Sequence, residues 1–121
     1  MAKKGDKMGY YTWYSVSVKE GTPIEKEREA AIKLTEIIGY FDEERAHIAE
    51  SEYPFEYLSY DSMKWYDWER DMTNLSKQFP EIEFIVYGEG EDREDTWRAF
   101  IKNGVCIYQK AHIYYDPEPI F

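Results

Sequence analysis

The strongest constraint on this chain lies between Ile82 and Tyr115. Ile82, Phe84 and Val86 alternate with Glu83, Ile85 and Tyr87, the period-two pattern of a half-buried strand. Trp97, Ala99 and Ile101 alternate with Arg98, Phe100 and Lys102. Val105, Ile107, Gln109, Ala111 and Ile113 alternate with Cys106, Tyr108, Lys110, His112 and Tyr114. Asn103-Gly104 joins these last two runs, and both residues tolerate the positive φ of a type I′ turn, so the pair predicts a two-residue hairpin. Gly88 and Gly90 are expected to break the first run inside an acidic loop. The stretch therefore predicts a three-stranded antiparallel meander with helices over one face.

Upstream, residues 1–8 read as a flexible start, and Tyr10 to Val18 as a strand with Tyr11, Trp13, Ser15 and Ser17 on one side. Thr22-Pro23-Ile24-Glu25 has the pattern of a capping box with proline at the first helical position. In the helix that follows, Ala30, Ala31, Leu34, Ile37, Ile38 and Phe41 mark the buried stripe, and Gly39 is placed to end it. Residues 42–52 read as a short helix capped by Asp42 or as a long loop, and Phe55 to Tyr60 as a short strand. Trp65, Trp68, Met72, Leu75 and Phe79 share one helical face, with Asp61 or Ser62 as cap and Pro80 as stop. The order is β-α-β-α-β-β-β: an α+β domain over residues 9–115, a mainly antiparallel sheet with two main helices on one face. Residues 116–121, held from helix and central strand by Pro117 and Pro119, form a tail whose Ile120-Phe121 is expected to fold back.

Charge narrows the function classes. The formal net charge is −10. Ten acids and four bases fall in residues 21–60, and seven acids and three bases in residues 81–103. Phosphate contacts need Lys and Arg, so direct nucleic-acid binding is not expected. A basic protein partner suits the charge better. The lone Cys106 excludes an internal disulfide and any multi-cysteine metal site, and its strand position predicts an inert thiol. With no apolar run of about 18 residues, no membrane association is expected and a cytoplasmic location is.

The candidate chemistry is sparse. The loop Gly88-Glu89-Gly90-Glu91-Asp92-Arg93-Glu94-Asp95 is rich in oxygen ligands but lacks the alternating Asp/Asn spacing and distal Glu of an EF-hand loop, so a solvated turn is the simpler reading. His47 and His112, the only histidines, have no nucleophile at a catalytic spacing. No cofactor is expected. The aromatics are more informative. Tyr10, Tyr11, Trp13 and Tyr14 crowd one strand, and Tyr53, Phe55, Tyr57 and Tyr60 another, which is more than one helical layer can bury. Exposed aromatics beside carboxylates suit a protein-binding surface, or a sheet face buried in a homodimer.

Leu75-Ser76-Lys77-Gln78-Phe79-Pro80, the strand after it, Gly88-Glu89-Gly90-Glu91, Asp95-Thr96-Trp97-Arg98 and Asn103-Gly104 stand in a recognisable order. This order resembles small phage- and plasmid-borne proteins with a ferredoxin-like α+β domain. The likeness spans about the last half of the chain. It implies a ferredoxin-like fold and a mobile-element origin, and it carries over no catalytic residue.

The expected function is a non-enzymatic, acidic protein-binding module that occupies a basic site on a host nucleic-acid-handling or defence protein. Its expected contact residues are Tyr11, Trp13, Glu89, Glu91, Asp92, Glu94 and Asp95. The alternatives are a homo-oligomeric structural or accessory protein and a small metal-assisted enzyme built on residues 88–95.

Overall fold

The computed structural model describes residues 12–39, 45–58, 62–63, 65–92 and 94–121. The expectations placed on residues 1–8, Tyr10, Tyr11, Phe41, Asp42, Tyr60, Asp61 and Arg93 lie outside these residues. Four long strands, β1 (Thr12–Val18), β3 (Phe84–Gly90), β4 (Thr96–Lys102) and β5 (Val105–Lys110), form an antiparallel sheet. The two-residue β2 (Ser62–Met63) flanks β1, giving the order β2-β1-β3-β4-β5. The helices are α1 (Ile24–Ile38), the short α2 (Arg45–Glu50) and α3 (Trp68–Gln78), with a 3₁₀ helix at Pro54–Leu58. This is an α+β chain with two main helices.

Register explains where the core sits. Val16 lies opposite Val86, Val86 opposite Ala99, and Ala99 opposite Tyr108, and paired residues point to the same side of a sheet. Tyr14, Val16, Phe84, Val86, Trp97, Ala99 and Ile101 therefore share one face, and all are buried. They pack in one cluster with Ala30, Ala31 and Leu34 of α1 and with Met72 and Leu75 of α3. β2 and β3 both run antiparallel to β1 and lie on either side of it, so β2-α3-β3 is a split β-α-β unit. β4 and β5 then continue as a meander. Asn103 (φ 46°) and Gly104 (φ 83°) make the turn that their pairing predicts. Gly39, at φ 82°, ends α1 and donates its N–H to the Thr35 carbonyl at 2.9 Å.

Several local expectations are overturned. The capping box is not made: Thr22 Oγ1 turns back to the Lys19 carbonyl at 2.6 Å, and Glu25 accepts from Arg28 at 3.0 Å. Residues 54–58 are a 3₁₀ helix, and the strand beside β1 is Ser62–Met63. Pro54 lacks an N–H for a ladder, Glu56 N–H closes a turn on the Tyr53 carbonyl, and Phe55 drops into the core edge-on to Phe84. Helix α3 begins at Trp68, after Ser62 has entered the sheet. Trp65 precedes the helix yet stays buried, because its indole N–H donates to Asp71 at 2.8 Å and its carbonyl accepts from the Tyr14 hydroxyl at 3.0 Å.

Gly88 and Gly90 lie within β3, and the turn is confined to the residues after them. A Cβ on Gly88 would fall 2.1 Å from Cε2 of the Trp97 indole, so the glycine makes room for that ring. β5 ends at Lys110, because β4 supplies its last ladder partner at Trp97. Beyond it, the Ala111 N–H still reaches the Thr96 carbonyl at 2.9 Å. The tail does not fold back: Ile120 and Phe121 are fully exposed.

Candidate functional site

An open groove of about 650 Å³ lies over β1 and reaches Gly88 of β3 and Trp97 of β4. Its floor is the run Trp13–Ser17. On the helical side it is bounded by Glu27, Tyr53, Phe55 and Glu56, and on the open side of the sheet by Tyr87, Glu89 and Thr96.

Each bank has an identifiable cause. Glu27 belongs to the same helical stripe as Ala30, Ala31 and Leu34, at spacings of three, four and seven. A carboxylate on a burying stripe must emerge at its margin, and Glu27 is accordingly half-buried. Burial raises its carboxyl pKa above the usual value, with the neighbouring Arg28 charge pulling the other way. Arg28 also fixes the rest of this bank. It donates to the Ser51 carbonyl at 2.9 Å and to the Glu50 carbonyl at 3.3 Å, tying the end of α2 to α1. Tyr53 N–H then bonds Ser51 Oγ at 2.9 Å, which leads the chain past Glu27 into the 3₁₀ helix. On the open side, Trp13 stands opposite Glu89 and Ser15 opposite Tyr87, so indole, phenol and carboxylate are presented together.

The expected contact residues divide. Trp13, 46% exposed, and Glu89 are brought together in the groove. Glu91, Asp92, Glu94 and Asp95 sit on the β3–β4 turn, closed by Asp95 N–H to the Asp92 carbonyl and Gly90 N–H to the Asp95 carbonyl, both at 2.9 Å. They do not line the groove; Glu94 instead borders a second concavity with Lys110, His112 and Tyr115. Tyr11 lies outside the described residues. Glu27 and Glu56 were not among the expected residues, although the stripe position of Glu27 is visible in the spacing.

Chemically, the groove offers three carboxylates, several aromatic rings and the Ser15 and Ser17 hydroxyls. Among its described lining residues there is no Lys, Arg, His or Cys. Nor do any three His, Cys, Asp or Glu side chains gather as a metal-holding set among the described residues. The Cys106 thiol lies outside the groove, its pKa pushed up by burial and then by the Glu69 charge, which disfavours the thiolate. No family model matches this chain, and no curated protein or solved structure does either. Among the described residues, no helix is long and apolar enough to cross a membrane.

Proposed function

We propose that this protein is a non-enzymatic binding module whose groove takes up a basic segment of a partner protein. The observation that carries this reading is the groove itself: Glu27, Glu56 and Glu89 stand beside Trp13, Tyr53 and Tyr87, with no basic side chain among the described lining residues. Aromatic rings supply contact area and cation–π faces, while the carboxylates select for positive charge. The net charge of −10 steers such a partner from a distance. The same reading makes the module a mobile-element protein acting in the cytoplasm on a host nucleic-acid-handling or defence protein, and treats its one split β-α-β unit as a ferredoxin-like variant.

Titrating tryptophan fluorescence with blocked hexapeptides of matched size and opposite charge tests it. The arginine-bearing peptide is expected to bind, at least tenfold more weakly when salt rises from 50 to 300 mM, and the glutamate-bearing one not at all. Triple neutralisation by Glu27→Gln, Glu56→Gln and Glu89→Gln should remove most of the affinity. Unchanged binding in that variant would refute the reading.

A second reading is favoured by the uncovered sheet face, where Ile85, Phe100 and Ile107 form one cross-strand row and Val105 and Ile107 are more than half exposed. That face suits a copy of the chain. Light scattering over a concentration series decides: a monomer at every concentration eliminates it.

A further inference from the structure

β5 ends the sheet order on the side away from β2, and among the described residues no strand lies beyond it. Val105, Ile107, Tyr108, Gln109 and Lys110 are exposed, and Cys106 is half-buried. The side to which a strand residue turns its N–H and C=O alternates along the chain. The Ala111 N–H meets the Thr96 carbonyl, so Val105, Ile107 and Gln109 likewise turn toward β4, and Cys106, Tyr108 and Lys110 turn outward. Natural proteins blunt such an edge with bulges, prolines or rows of charge. β5 pairs with β4 along its whole length without a bulge, contains no proline and carries a single charge, Lys110. Charge narrows what fits it. Thr96 to Tyr115 hold Arg98, Lys102 and Lys110 but no Asp or Glu, in a chain with 25 acids. Two copies of net charge −10 can approach one another through this hairpin with little repulsion.

We propose that β5 pairs with β5 of a second copy, antiparallel about a two-fold axis, joining the two sheets edge to edge. The pairing goes beyond the groove reading and needs no part of it. The three outward residues form their fullest ladder when Tyr108 faces Tyr108 of the copy and Cys106 faces its Lys110. Tyr108 lies opposite the buried Ala99, so Cys106, Tyr108 and Lys110 point to the covered side of the sheet. On that side, burial and then the Glu69 charge push up the Cys106 thiol, which places Glu69 of α3 near it. Lys110 of each copy, standing across from Cys106, therefore meets Glu69 of the other, and the two-fold axis makes this ion pair twice. On the open face, Ile107 stands beside Gln109 of the copy and diagonal to its Ile107, so the two Ile85–Phe100–Ile107 rows join. A basic segment of the kind that suits the groove would meet the cations of this hairpin instead.

Light scattering on the full chain over a concentration series reads the dimer, and a charge exchange reads its register. Lys110→Glu alone and Glu69→Lys alone should each weaken dimerisation roughly fivefold, and the two together should restore it to within about twofold of the parent. A cross-link gives a second readout in a Cys106→Ser background. Tyr108→Cys should form an intermolecular disulfide on mild oxidation, since directly paired strand residues lie about 5.5 Å apart at Cα. Val105→Cys should not, because the same register sets it far from its counterpart. If the chain dimerises but the charge exchange has no effect and both cysteine variants cross-link alike, edge pairing is overturned while face-to-face packing of two sheets stands. A monomer at every concentration up to the millimolar range overturns both and leaves the groove reading to its own titration.

Discussion

The two faces of this one sheet hold similar numbers of aromatic rings and use them differently. On the covered face, Trp97 stacks on Trp68 with centroids 4.5 Å apart, meets Tyr14 edge-on at 6.1 Å and lies 5.5 Å from Tyr108. Large and small residues alternate across its strands, with Gly88 opposite Trp97 and Val86 opposite Ala99. On the open face, rings stand beside polar groups: Arg98 lies over the Phe100 ring at 5.1 Å and donates to Gln109 at 2.8 Å, and Trp13 pairs with Glu89. Hydrophobicity alone does not separate the faces. Fit does, because a close-packed interior requires complementary volumes and a half-open surface does not. Rings on the first face stabilise the fold, and those on the second remain available to a partner.

The sharpest way to break this contrast is to exchange volume on each face. Gly88→Ala drives a methyl group into the Trp97 indole and should cost about 3 kcal/mol, the upper part of the range for overpacking. Trp97→Ala should cost about 3–5 kcal/mol. Adding Trp97→Leu to Gly88→Ala should cost less than the two single changes together, since each relieves the contact the other disturbs. Tyr87→Ala, one residue from Gly88 but on the open face, should stay within about 0.5 kcal/mol. Urea unfolding of these variants and of the single Trp97→Leu, five in all, reads all of this. An equal loss from Tyr87→Ala and Trp97→Ala would erase the distinction between the faces.

This contrast also explains what the sequence made legible. The Asn103-Gly104 turn and the Gly39 helix end depend on neighbours in the chain and appear where expected, as does the alternation up to Lys110, whereas Ala111–Tyr114, expected to continue it, lie outside the strand. Gly88 departs from the expectation because its reason lies on another strand: glycine is expected at turns, yet here it accommodates an indole across the ladder. The 3₁₀ helix departs from the expected strand for a similar reason, since Phe55 alternates like a strand residue but is held by Phe84, far along the chain. The candidate site was half visible. Trp13 and Glu89 were expected as contacts, but their meeting in the groove depends on the β1–β3 register, and Glu27 and Glu56 join them only through Arg28 and the end of α2. The punctuation Leu75–Pro80 acquires a physical role as well. The Ser76 hydroxyl accepts the Gly104 N–H at 2.8 Å, fastening α3 to the hairpin turn.

A smaller effect separates a buried polar contact from an exposed one. Tyr14→Phe removes the donor to the Trp65 carbonyl and should cost about 1–2 kcal/mol near neutral pH. The Tyr14 phenol is pushed up to about 12 from 10.0, chiefly by burial, so the folded state keeps its proton longer than the unfolded state does. Its contribution is complete below pH 10 and declines as pH rises toward 12. Between pH 9 and 11 the parent protein should therefore lose more stability than Tyr14→Phe. Parallel pH profiles would place the Tyr14 hydroxyl in a water-like environment.

The smallest effect tests whether Glu27 belongs to the fold or to the groove. Burial holds its carboxyl pKa above 4.5, so the folded state keeps this proton at a pH where the unfolded chain has released it. Proton retention favours the folded state below 4.5, and that advantage is lost as pH rises through the raised value. At neutral pH the charged group is a slight liability, which Glu27→Gln relieves while keeping the shape. The variant should melt slightly higher than the parent at pH 7 and equally at pH 3.5, while binding the arginine-bearing peptide more weakly at pH 7. Opposite signs for stability and binding are what a side chain retained for recognition produces. If Glu27→Gln instead lowers the melting temperature at pH 7, the carboxylate acts as a structural partner of Arg28, and the acidic selection in the groove falls to Glu56 and Glu89.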